Sequence, residues 1–252
     1  MTIEKLPRNS ATWLRGKTLT TAPLDSGLLE RELYLVDPVR EGAAYPNMRN
    51  YHGHYWMAST GTHVWHESLL ERDWLMWLDF TGDVVAVSSQ PMMMTGSDGV
   101  VRYPDLLTLD TRGLQNVYDV RPSARINDKA RAQFEWTRAV CEDIGMSYRV
   151  LTDIPMQFKV NLSYLSQFRH PANHPGVADE QEVVSAATTG WSIDDAVRRM
   201  PAPSTARARR HIFHLLWTGA LTCDMDTKLS GRTLVHVGDP INSRKVIPSG
   251  QA

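Results

Sequence analysis

Glu71, Asp105, Asp119 and Arg121 are the residues whose types and spacing suggest chemistry, with Gln90, Glu67 and His66 as additional candidates. Asp119 and Arg121 lie two apart in NVYDVR, so on a strand they share a face and project a carboxylate and a cation side by side. Asp105 sits in the preceding extended segment, and the turn residues DTRG between the two runs predict an antiparallel hairpin that brings it close to Asp119. Glu71 approaches from a helix. Three carboxylates at one end of a sheet repel one another unless a cation neutralises them, and an oxygen-rich site of that kind suits Mg²⁺ or Mn²⁺. Such an ion would polarise a phosphodiester, lower the pKa of water and stabilise the leaving oxygen. Arg121 would then hold phosphate as a fixed charge, because a guanidinium is no base near neutral pH. The bland alternative is a pair of hairpin aspartates with an arginine in a weak surface salt bridge, and a Glu71 on the solvated side of its helix.

Other clusters offer less. His52, His54, His63 and His66 lack the spacing of a tetrahedral zinc site and stand among aromatics, which points to packing. Met92, Met93 and Met94 read as adaptable core or groove filler, and His170 and His174 as surface residues beside proline turns. There is no Walker loop, no GxSxG and no HExxH. Cys141 and Cys223 form no CxxC pair, which argues against a disulfide scaffold or a cysteine-rich zinc site.

The elements that must position these residues follow from periodicity. Residues 1–49, rich in proline and glycine, read as an N-terminal arm or loose lead-in. Leu70, Trp74, Trp77 and Leu78 predict a helix over 67–80 with one apolar stripe. Strands are predicted at 83–88, in QPMMMTG, at 100–109 and at 116–121, with Pro104 marking an edge or a bulge. An amphipathic helix over 127–145, with Ala130, Phe134, Ala139, Cys141 and Ile144 on its apolar side, precedes a strand SYRVLT. This order describes an α/β domain over 50–155. Residues 156–236 read as helices followed by a short β-ribbon, which fits a winged-helix-like module, and 237–252 as a flexible tail.

The ordered set ESLLERDWLMWLDF, DVVAVSSQP, RYPDLLTL and VYDVRP resembles the catalytic domain of the TnsA-type transposon endonucleases, of the PD-(D/E)xK nuclease superfamily, over about residues 50–155. The resemblance implies a restriction-endonuclease-like core, a mixed sheet flanked by helices. It implies that Glu71 takes the helix glutamate position, that Gln90 falls in the following strand, and that Pro104–Asp105 is the PD element. Asp119 and Arg121 then occupy the places of the acidic residue and lysine of ExK. Asp119 is one methylene shorter than the usual glutamate, and Arg121 replaces a compact ammonium with a broad fork. The implied function is Mg²⁺- or Mn²⁺-dependent cleavage of one DNA strand at the 5′ side of transposon ends, with Glu71, Asp105 and Asp119 holding metal. The implied partners are double-stranded DNA, a DDE-type transposase and an ATPase regulator. A homodimer is compatible with this reading. A restriction, repair or defence nuclease of the same fold is the enzyme alternative, and a catalytically silent DNA-binding or assembly subunit the other.

Charge and composition set the outer bounds. With 27 basic and 28 acidic residues the net charge is −1, so any nucleic-acid face must come from local clustering. The candidate is Arg198, Arg199, Arg207, Arg209, Arg210, Lys228 and Arg232, opposed within that stretch only by Asp224 and Asp226. With 42% hydrophobic and 22% charged residues the chain is not disordered. No apolar run suggests a membrane span or a secretory leader, so the expected location is the cytoplasm.

Overall fold

The computed structural model describes residues 9–40, 51–187 and 190–238. Its strands and helices form a mixed α/β arrangement that divides into two compact units. Among the described residues the first comprises 9–40, 51–74 and Val84–Asp153, the second Leu75–Asp83, 154–187 and 190–238. The flexible tail expected at 237–252 lies outside the described residues from 239 on.

The first unit opens with β1 (Ser10–Arg15) and β2 (Thr18–Pro23), a tight hairpin, where a loose arm was expected. Gly16 carries the positive φ of 63° that a two-residue loop with glycine in first place requires. Trp13, Leu28 and Leu33 of this segment are buried in the same core as Met92, Met94, Val117 and Phe134. After the hairpin β3 (Gly53–Met57) and β4 (Thr62–His66) comes α1 (Leu69–Thr81), which belongs to this unit as far as Trp74 and to the second from Leu75. From Asp73 to Thr81 every residue of α1 is buried, so it is an interior helix and not the single-stripe surface helix that the spacing predicts.

Two four-stranded sheets follow. β5 (Val84–Ser89), β8 (Leu106–Asp110), β9 (Gln115–Val120) and β10 (Ser147–Leu151) form a mixed sheet in the order β10-β9-β8-β5. In it β9 is antiparallel to β8 and parallel to β10. The crossover that a parallel pair needs is α2 (Asp128–Ile144), capped by Asn127 and ended by Gly145 at φ 92°. Ala130, Phe134, Cys141 and Ile144 of α2 are buried as the pattern requires, but Ala139 is exposed and Thr137 takes a buried place. The other sheet joins β2 and β1 to β6 (Met93–Thr95) and β7 (Val101–Arg102). The strand expected over 100–109 is therefore two strands in different sheets, separated at Tyr103–Pro104–Asp105, where proline cannot donate to a ladder.

In the second unit the helices expected from 156 on begin with α3 (Met156–Leu165), and two further helices follow. These are α4 (Val177–Ala186) and α5 (Ile193–Arg199), with β11 (Trp191–Ser192) between them. α6 (Thr205–Thr218), capped by Ser204, and the antiparallel strands β12 (Leu221–Cys223) and β13 (Leu234–Val237) complete it, with sheet order β11-β13-β12. From His211 to Trp217 α6 is buried on every side. His211 and His214 bond the carbonyls of Asn173 and Phe168 at 2.7 and 2.8 Å, tying the preceding turns to the helix.

Candidate functional site

The mixed sheet gathers three of the expected residues in a row across one end of three adjacent strands. Ser89 pairs with Leu106 and Leu106 with Tyr118, the last paired residues there; Gln90 follows β5, Asp105 precedes β8 and Asp119 lies next to Tyr118 in β9. The charge of Asp119 is felt at Asp105. Beyond the regular ladder, Gln90 N–H donates to the Asp105 carbonyl at 2.8 Å, and Asp105 N–H to the Tyr118 carbonyl at 2.9 Å. Asp105 turns its Oδ2 back to accept from Val120 N–H at 2.6 Å.

Each residue in the row has its own environment. Burial of the Asp105 carboxyl, then the negative charges of Asp119 and Glu71, raise its pKa well above the usual carboxylate value. Gln90 is 1% exposed, its side-chain oxygen and nitrogen lack partners among the described residues, and its φ is 44°, a left-handed conformation unfavourable for a side chain with a Cβ. An orphaned buried amide and a strained backbone at one residue mark a place where structure has yielded to something other than stability. Asp119 is buried and its Oδ2 accepts twice, from Arg102 Nη2 at 2.7 Å and from the Tyr148 hydroxyl at 2.5 Å. Among the described residues no donor reaches Oδ1. Burial and the Asp119 charge push the Tyr148 hydroxyl pKa upward, so Tyr148 stays a donor.

Two expected members stand differently. Glu71 is neither solvated nor open: its Oε2 accepts from Glu67 N–H and its Oε1 from the Ser68 hydroxyl, both at 2.8 Å, while Ser68 Oγ accepts from Glu71 N–H at 3.2 Å. That is an N-terminal capping arrangement, legible in the sequence as S-x-x-E before an apolar run. Burial raises the Glu71 pKa in spite of these bonds. Arg121 follows the end of β9, and its Nε–H bonds the Arg125 carbonyl at 3.0 Å. The cation beside Asp119 is Arg102, a residue the sequence reading did not single out. Its signal was weak: an arginine two positions before the proline that breaks the strand.

Of the lesser candidates, Glu67 pairs with Arg40 at 3.1 Å. His66 is buried, its Nδ1 has no partner among the described residues, and burial and nearby Arg72 lower its pKa. Met92 and Met94 are core, while Met93 Sδ accepts from the Tyr103 hydroxyl at 3.1 Å. His174, expected as an ordinary surface residue, pairs with Glu180 at 2.8 Å.

The row offers hard oxygen donors: Asp105 Oδ1, Asp119 Oδ1 and Gln90 Oε1. Among the described residues no three His, Cys, Asp or Glu side chains stand together at metal-holding distance. A cation here would therefore rest on two carboxylates, the Gln90 amide and water. Hard divalent ions such as Mg²⁺ accept that set, since they retain water and bind through one or two carboxylates.

The seven basic residues separate into groups. Arg198 and Arg209 are paired with Asp195 and Asp194, which lie just outside the stretch considered from sequence. Arg199 stacks on the Trp191 ring at 4.3 Å. Arg207, Arg210, Lys228 and Arg232 are exposed. Asp194 links two of the segments that carry them, bonding Arg209 at 2.9 Å and donating its N–H to the Gly231 carbonyl at 2.9 Å. No described helix is long and apolar enough to cross a membrane. Compared with known proteins, the chain matches no family model and no curated relative.

Proposed function

We propose that this chain is a divalent-metal-dependent phosphodiesterase acting on double-stranded DNA, the TnsA-like endonuclease subunit of a heteromeric transposase. The observation that carries the reading is the row Gln90–Asp105–Asp119, with an orphaned amide at one end and a carboxyl pushed toward neutrality in the middle. Like-charge crowding of this kind is relieved by a cation. A bound Mg²⁺ or Mn²⁺ supplies Lewis acidity, polarising a phosphodiester and acidifying water. Asp105 and Asp119 would hold it through their unbonded oxygens, with Gln90 as neutral donor. Glu71 contributes negative charge near Asp105 while closing the start of α1.

Supporting the fold implied by the resemblance, α1, β5, β8, β9, α2 and β10 come in that chain order, and β5, β8, β9 and β10 form one mixed sheet. From α4 on, the order helix, strand, helix, helix, strand, strand, with β11-β13-β12 pairing, suits a winged-helix module. Its exposed cations Arg207, Arg210, Lys228 and Arg232 are the residues proposed to touch phosphate. The DDE-type transposase and the ATPase regulator are proposed partners on the resemblance alone.

A silent DNA-binding subunit is the second reading, favoured by the engagement of Arg121 with Arg125 and of Asp119 with Arg102. Nicking of supercoiled plasmid carrying transposon ends, in Mg²⁺ or Mn²⁺ and with the cognate transposase added, separates the two. Cleavage that falls by about 10²-fold or more in Asp105→Asn supports the enzyme, on the scale of losing one electrostatic catalytic group. DNA binding without cleavage, unchanged by Asp105→Asn, would leave the silent subunit.

A further inference from the structure

We propose that Arg102 is a built-in second cation of this site, so that the chain takes one divalent ion and not two. The inference rests on the metal-dependent reading above. A pair of facing aspartates commonly invites two ions, each neutralising part of the charge. Here one of the four carboxylate oxygens is already neutralised from within the protein. Arg102 Nη2 donates to Asp119 Oδ2 at 2.7 Å, with side chains only 14% and 5% exposed.

The guanidinium is held along all its nitrogens. Nε–H points to Thr137 Oγ1 at 3.4 Å and Nη1 to Gln133 Oε1 at 3.3 Å, residues one turn apart on α2. The Phe134 ring lies 5.9 Å from its central carbon. Its backbone is fixed too, since Arg102 faces Met94 in the β6–β7 ladder. A planar fork held at three nitrogens is pre-organised, and arginine does not lose its proton in proteins. The Tyr148 hydroxyl takes another lone pair of the same Asp119 oxygen. A second ion would have to displace a buried, fixed cation from that oxygen. What remains open, Asp105 Oδ1, Asp119 Oδ1 and Gln90 Oε1, serves one ion with its waters.

The neighbouring cation of the sequence, Arg121, does not share this duty, being bonded to the Arg125 carbonyl. Arg102 acts through Asp119 and is a positioning residue: it sets how much negative charge is left for metal.

Titration of Mn²⁺ into the full chain by calorimetry, with electron paramagnetic resonance of the loaded samples, reads this directly. The parent is expected to bind one ion with no spin-coupled pair, and Asp105→Asn to bind it at least about tenfold more weakly. Arg102→Met, which frees Asp119 while keeping an apolar stem, is expected to admit a second, spin-coupled ion or to bind the first about tenfold more tightly. Arg102→Lys retains the charge and should keep the parent stoichiometry. If Arg102→Met does not fold, Thr137→Val, which loosens the fork at one nitrogen, should move affinity in the same direction. Two ions in the parent overturn the proposal while leaving the metal site standing. One ion with the same affinity in parent, Arg102→Met and Thr137→Val also overturns it. No ion in the parent removes the metal-dependent reading itself, and this inference with it.

Discussion

Asp105 shows how a single side chain couples stability to the proposed chemistry. Its folded-state pKa is raised by burial, by Asp119 and by Glu71, so the folded chain holds that proton more tightly than the unfolded one. The stabilisation linked to this proton is present below the ordinary carboxylate pKa and is lost as pH rises through the raised value. As pH rises above the ordinary carboxylate range, Asp105 therefore works increasingly against the fold, and at pH 8 Asp105→Asn is expected to melt higher than the parent in chelator. Each kcal/mol is worth about 2–4 °C at this chain length, so a shift of a few degrees is the expected scale. The difference should close as the pH falls below the ordinary carboxylate range, and saturating Mn²⁺ should favour the parent. A variant that melts lower at pH 8, or a gap independent of pH, would refute the assignment. At this scale part was readable beforehand: turn chemistry between the two strands brings Asp105 close to Asp119, whose charge it feels. The positive φ of Gln90 and the approach of Arg102 were not, because both depend on how the chain leaves one sheet and enters another.

Elements were legible where periodicity is strong and illegible where short strands rely on distant partners. α2 and α6 follow their caps and apolar spacing, Asn127 to Gly145 and Ser204 to Gly219. β7 and β11 have two residues each, too few for any pattern, and exist because β6 and β13 pair with them. β1 and β2 were lost to the prolines and glycines around them, although Gly16 alone marks their turn. The 224–233 loop has a similar hidden anchor on α3. Asn161, 2% exposed, donates to the carbonyls of Met225 and Thr227 at 2.9 and 2.7 Å and accepts from Leu229 N–H at 3.3 Å. Gln157 Nε2 also donates to its oxygen at 3.0 Å, so the amide is fully used. Asn161→Ala is expected to cost about 2–4 kcal/mol, from three loop bonds of about 0.5–1.5 kcal/mol each and an unfilled site. Urea unfolding would measure the loss, and limited proteolysis should cut between Met225 and Ser230 sooner than in the parent. Unchanged unfolding and cleavage would mean that the loop holds its shape without α3.

For the whole molecule, net charge conceals an uneven division of work. The chain carries −1 overall, while the 190–238 segment holds seven arginines and lysines against four aspartates. Sequence reading alone credits all seven to nucleic acid; the ion pairs of Asp194 and Asp195 withdraw two of them, and Trp191 engages a third. Only Arg207, Arg210, Lys228 and Arg232 stand exposed without such an engagement. They lie at the start of α6 and in the β12–β13 loop, while the rest of α6 is buried and has no free face to lay in a groove. Contacts of this kind reach phosphates and carry no base readout. Binding of the full chain to a duplex should thus be insensitive to sequence and steep in salt. The slope of log affinity against log salt should fall by about 0.9 for each of these four changed to alanine. Arg198→Ala and Arg209→Ala should leave the slope nearly unchanged, since each removes a charge already spent on an aspartate. Equal losses for all six variants would show that the aspartate pairs open on binding, and a slope that none of them alters would place the DNA elsewhere on the chain.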